Sequence, residues 1–277
     1  LSTDQVIEIF TTDAFGRYEI FTPEEFLPAF FKIVFLPGGT DISTGETVKN
    51  TLSNITTKEE ATSTSGIINV TPITNIFSSI VESNIQEGDT IDLSVINSSK
   101  QTVSQVFNIN VDNIGQDYIS SEDSGAAVVT VQIEIIANTL ESSIGNNGDV
   151  SKDDIVSSLA KVIIQQVESV EEGEEVSFSL NDASSITNIV QQVQTDKEEE
   201  GVVIEVDQTA LDNVSNFIES VNQNIVTAAE ETSSSGGNFV DVFTKVTQLN
   251  VASNNLINDE EINFSAEEFD VDVAVTT

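Results

Sequence analysis

The sequence predicts an α+β protein in three parts. Residues 1–70 form a small β module, an incomplete sandwich; 71–257 form a mainly α-helical bundle; 258–277 form an extension that ends in a strand. Three observations carry this. Residues 10–45 combine aromatic and β-branched runs with turn signals. From Pro72 onward the apolar residues recur at helical spacing. Phe269–Val275 then returns to strict alternation.

Val6, Ile7, Ile9 and Phe10 make the first segment extended. Thr12-Asp13-Ala14-Phe15-Gly16 is a turn: Asp can bond nearby backbone and Gly supplies positive φ. Arg17–Phe21 follows as a strand with Tyr18 and Ile20 on one face. Phe30–Leu36 is a second, strongly apolar strand, stopped by Pro37-Gly38-Gly39. Thr47–Ser65 is polar and reads as a loop, and Gly66–Val70 as a short extended run. Thr71-Pro72 opens a helix, because Pro has no N–H to lose in a first turn. Ile73, Ile76, Phe77, Ile80 and Val81 are its stripe.

Further helices are predicted over Ser94–Ile109 and along Val129, Ile133, Ile136, Leu140 and Ile144. Ser151-Lys-Asp-Asp154 is a capping box before the next helix. Asn181 or Asp182 caps the helix of Ile186, Ile189, Val190 and Val193, and Asp207 that of Leu211, Val214 and Ile218. Lys197–Glu200 reads as a charged surface connection, Val202–Val206 as a short strand and Thr232–Gly237 as a flexible linker. Phe239, Val242, Phe243, Val246 and Leu249 mark the last helix.

Composition narrows the function classes. Against 47 acids stand 9 bases, giving a net charge of −38. That argues against nucleic acid, which is bound through Lys and Arg, and against anionic lipid. No apolar run approaches the ~20 residues of a membrane span. The chain has no Cys, His, Met or Trp. Disulfides and the usual nucleophile–base pairs are therefore absent, and the expectation is a non-enzymatic protein. Leu1 stands where a translation start would have Met, so the chain is expected to be processed or a fragment. The acidic, Asn/Ser/Thr-rich character fits an extracellular, cell-surface or virion-surface location.

Three motifs carry a resemblance. Thr12-Asp13-Ala14-Phe15-Gly16-Arg17-Tyr18 resembles the hairpin of carboxypeptidase-regulatory-like and Cna B-type sandwiches. Gly38–Gly45 and the junction Val70-Thr71-Pro72-Ile73-Thr74 join it. Together they resemble a module of large secreted or surface-attached bacterial proteins, in which an Ig-like half leads into a helical half. The resemblance covers roughly residues 9–81. It implies an incomplete Ig-like β-sandwich with a structural or adhesive role. Residues 1–11 hold no acidic loop of the kind that the pattern would place before the hairpin, so the resemblance brings no calcium ligands with it there.

The candidate chemistry is sparse. Asn146, Asp149 and Asp153 gather oxygen ligands near a Gly turn, a weak calcium candidate without EF-hand spacing. A loop with a helix cap explains them more simply. Asp112–Asp117 with Glu122 and Asp123 is a similar cluster. Lys32 sits inside an apolar strand, and the resemblance makes it a candidate for an internal isopeptide bond; an edge-strand Lys extended to solvent is the simpler reading.

The sharpest candidate is an assembly interface. Phe269, Val271, Val273 and Val275 share one face of the terminal strand, and Asp270, Asp272 and Ala274 the other. A sandwich short of one strand exposes an edge and an apolar groove, here Tyr18, Ile20, Phe31, Ile33 and Phe35. If the terminal strand fills that groove in the next copy, copies of the chain form a head-to-tail homopolymer. Folding back onto its own module, or onto Val202–Val206, is the competing arrangement. The expected function is a structural subunit of an extracellular filament. The alternative is one module of a large surface adhesin that binds a carbohydrate or protein.

Overall fold

The computed structural model describes residues 6–13, 16–40, 45, 47–63, 67–85, 91–145, 149–170, 176, 178–258 and 263–266. The class is α+β, mainly helical, with a two-stranded antiparallel sheet. Strands β1 (Phe30–Phe35) and β2 (Leu52–Thr57) are followed by a single-turn helix α1 (Lys58–Ala61). Seven longer helices follow: α2 (Pro72–Ser83), α3 (Leu93–Phe107), α4 (Ser124–Ile144), α5 (Lys152–Ser169), α6 (Ala183–Glu199), α7 (Gln208–Ser234) and α8 (Phe239–Asn258).

The helix starts follow local chemistry. Thr71 and Thr74 close a capping box in front of α2, with Pro72 in the first turn. Ser151 and Asp154 do the same for α5. Asp92, Asp123, Asp182 and Asp207 cap α3, α4, α6 and α7 by accepting N–H bonds of the first turn. Helix α3 ends at Asn108, whose φ of 51° is the left-handed stop.

Helix α4 is the axle. It packs on α2, α5, α7 and α8, and its apolar residues are buried around most of its circumference. The core runs without a break from Ile55 of β2, through Phe77, Ile136, Leu159 and Phe217, to Val246 of α8. Helices α4 and α8 run parallel, joined by Asn250 Nδ2 donating to Glu134 Oε2 at 2.7 Å and by Asn138 Nδ2 donating to Asn254 Oδ1 at 2.7 Å. The β1–β2 hairpin lies on α2.

Several expectations are corrected. Residues 17–21 are not a strand: the Glu8 carboxylate takes the N–H groups of Phe21 and Thr22, at 3.1 and 2.9 Å, where a ladder would. The expected loop over 47–65 contains β2 and α1. Residues 67–70 and 202–206 are irregular. Lys197 is no surface connector but a buried member of α6, bonded to Asp154 at 2.8 Å and Glu200 at 3.0 Å. The expected linker at 232–237 starts as helix, since α7 continues to Ser234. No sandwich is seen among the described residues. Among them no helix is long and apolar enough to cross a membrane.

Candidate functional site

In an antiparallel pair, alternate residues turn their N–H and C=O toward the partner strand. The register runs from Phe30 opposite Thr57 to Phe35 opposite Leu52, and Lys58 N–H donates to Ala29 O. Phe31, Ile33 and Phe35 therefore bond β2, while the backbones of Phe30, Lys32 and Val34 point outward. On β2 the outward residues are Thr51, Ser53, Ile55 and Thr57.

The two outer edges are treated in opposite ways. That of β2 is closed by side chains. Thr51 N–H donates to Asp153 Oδ1 at 2.9 Å, and Thr51 O accepts from Asn75 Nδ2 at 3.1 Å. Ser53 O accepts from Thr74 Oγ1 at 2.9 Å. Ile55 N–H donates to Ser78 Oγ at 3.0 Å, and Thr57 N–H to Glu60 Oε2 at 3.2 Å. The polar face of α2 thus replaces a neighbouring strand. On β1, the outward N–H and C=O groups of Phe30, Lys32 and Val34 have no partner among the described residues. This open edge is the candidate site, because unpaired strand edges template strand addition.

The two faces beside the edge differ. Phe30, Lys32 and Val34 share the bundle face with Ser53, Ile55 and Thr57. There Lys32 Nζ pairs with Glu82 Oε1 at 2.8 Å, over a polar cleft of about 410 Å³ lined by Ser53, Asn75, Glu82, Asp153 and Ser157. The opposite face carries Phe31, Ile33 and Phe35, with the first two buried. Tyr18 stacks on Phe10 at 4.8 Å and meets Phe35 edge-on at 5.2 Å. Its hydroxyl donates to Ile68 O at 2.6 Å, and burial pushes the phenol up to about 12. Val6, Ile9, Phe21, Phe26, Val34 and Leu36 are exposed. Large apolar side chains open to water thus occur in β1 and in the chain segments that flank it.

The predicted residues fall into separate groups. Phe31, Ile33 and Phe35 share one face of β1, and Tyr18 covers it rather than lining an empty groove. Ile20 is half-buried. Phe269, Val271, Val273 and Val275 lie outside the described residues, as does Asn146. Asp149 is exposed, and Asp153 accepts the Thr51 N–H. In the second acidic cluster, Asp123 caps α4 and accepts from Asn113 Nδ2 at 2.6 Å. Among the described residues no three His, Cys, Asp or Glu side chains gather as metal ligands. Lys32 is engaged in an ion pair.

Sequence reasoning missed β2 and its lid. Ile55-Thr56-Thr57 was the available signal, a short β-branched run. It also missed an anchor. Asn213 Nδ2 on α7 donates to Phe264 O and Ala266 O, both at 2.8 Å, and Phe264 packs edge-on against Phe217 at 5.5 Å. This fixes the root of the C-terminal segment on α7. Comparison with protein-family models, curated proteins and solved structures finds no match to this chain.

Proposed function

We propose that the chain is a non-enzymatic structural subunit of an extracellular or surface assembly, virion surfaces included. Copies join head-to-tail: Phe269–Val275 of one pairs with the outer edge of β1 in the next, adding a third strand to the β1–β2 hairpin. The observation that carries this reading is the asymmetry of the hairpin, with β2 closed by side chains and β1 open beside exposed apolar residues.

The root of the donor segment and its acceptor lie on different elements. Asn213 Nδ2 holds Phe264 O and Ala266 O on α7, while the open edge belongs to the hairpin that lies on α2. We place the partner of Phe269–Val275 in another copy.

The test is electron microscopy and light scattering of the purified chain with and without residues 269–277. The full chain is expected to form filaments and the truncated one to stay monomeric. Val34→Pro should also give monomers with an unchanged circular dichroism spectrum, since that N–H points outward and Pro blocks only the incoming strand. A full-length chain that stays monomeric, or a truncated one that still polymerises, overturns the proposal.

A further inference from the structure

We infer that the donated strand docks with one facing only, and that Lys32 selects it. Phe269, Val271, Val273 and Val275 continue the face of Phe31, Ile33 and Phe35. Asp270, Asp272 and Ala274 take the face of Phe30, Lys32 and Val34. This rests on the strand-donation reading and adds its register.

Side chains directly opposite one another in a sheet lie on the same face, so the odd and even residues of the donor cannot mix. On the side of Phe31 and Ile33 the surroundings are aromatic: Phe10, Tyr18 and Phe35 contact one another there. A donor carboxylate on that side would be desolvated against these aromatic rings, whereas Phe269 and the three valines would extend the layer. On the bundle side the edge carries Lys32 above a cleft lined by Ser53, Asn75 and Ser157. Lys32 already bonds Glu82, but an ammonium has three donors and can accept a second carboxylate. Glu82 and Asp153 on the same side repel an incoming acid, so the favourable position is the one opposite Lys32 itself. A Lys on an open edge also deters unselected strands. An alternating strand with Asp on its second face is a partner that it accepts.

The chain has no Cys, so introduced pairs report cleanly. Val34→Cys in one copy is paired under oxidation with Asp270→Cys, Asp272→Cys, Val271→Cys or Val273→Cys in another. Disulfides are expected with position 270 or 272 and not with 271 or 273, because side chains on opposite faces point apart. In parallel, Lys32→Glu is expected to slow filament growth at least tenfold, and Asp270→Lys with Asp272→Lys in the donor to restore it. Lys32→Gln, which tests for mere misfolding, should slow it less. Linkage at the odd positions, or equal linkage at both, overturns the facing. Charge reversal without effect overturns the role of Lys32. Filaments that cross-link at neither parity overturn strand donation to β1 itself, which separates the two failures.

Discussion

Ser78 does for β2 what a neighbouring strand would otherwise do. Its hydroxyl accepts the Ile55 N–H at 3.0 Å, and Ile55 is 1 % exposed, so water cannot substitute. Ser78→Ala leaves a buried donor unpaired and is expected to destabilise the fold by about 1–3 kcal/mol. Ser83→Ala, on the exposed end of the same helix, should stay within about 0.5 kcal/mol. Urea denaturation of both variants checks this, and equal midpoints would remove Ser78 from the account of the edge. The contrast shows which residues were legible beforehand. Thr71, Ser151, Asp182 and Asp207 were readable as caps because a cap bonds N–H groups two or three residues away. Ser78 and Lys32 were not, since their partners lie 23 and 50 residues away in sequence. Lys197 misled for the same reason: its charge suggested solvent, while Asp154 waits for it on α5.

At the scale of elements, legibility followed how much apolar pattern each one carries. Helices α2, α4, α5, α6, α7 and α8 each bury a stripe that recurs every three to four residues, and each lies where that period placed it. Strand β2 has one core side chain, Ile55, and draws the rest of its order from β1, α1, α2 and α5. No local period encodes such a strand. Residues 17–21 show the reverse case, an apparently good strand pattern whose backbone is claimed by Glu8. The anchor of Phe264 and Ala266 on α7 gives the proposed assembly a test at this scale. If the rooting of the segment on α7 is what keeps the terminal strand from its own β1, spacers should remove the barrier. Ten Gly/Ser residues inserted after Ala266 add up to about 35 Å of reach, and pairing within one chain then competes at an effective concentration on the order of millimolar. Filaments should give way to closed monomers whose hydrogen exchange at residues 30–34 is slower than in the chain lacking 269–277. Unchanged filaments would show that reach does not decide the partner.

Across the whole molecule the dominant quantity is a net charge of −38 with 9 bases to offset it. Among the described residues five lysines are spent between elements: Lys32 to Glu82, Lys100 to Glu60, Lys152 to Glu141, Lys161 to Asp196 and Lys197 to Asp154. The remaining acids repel one another and oppose compaction. Burial pushes Glu60, Asp154 and Asp196 up, but their hydrogen bonds to Lys100, Lys197 and Lys161, with further donors, outweigh it. All three carboxyls are held below the ordinary range. A carboxylate lowered by folding stabilises above its unfolded pKa, and that contribution is lost as pH falls through the folded value. Acidification from neutral therefore acts in two stages. Toward the isoelectric point near 4.1 the net charge shrinks and self-repulsion fades, while the three clamps, lowered by their partners, protonate after the unpaired acids. Further down the clamps protonate and stability drops. The chain has no His or Cys, so little titrates between pH 8 and 6. In about 10 mM salt, where the Debye length is about 30 Å, the melting temperature should stay level to about pH 6, rise toward about pH 5 as the first acids protonate, and fall below about pH 4. In about 1 M salt the screening length shrinks to about 3 Å, and the rise between pH 8 and 5 should nearly vanish. Differential scanning calorimetry across both series is the measurement. A melting temperature that stays flat from pH 8 to 5 at low salt and drops only below about pH 4 would mean that the lysine clamps, rather than the surplus of acids, set the pH response. The proposed filaments would obey the same charge: copies at −38 repel on approach, so growth should quicken as salt is raised.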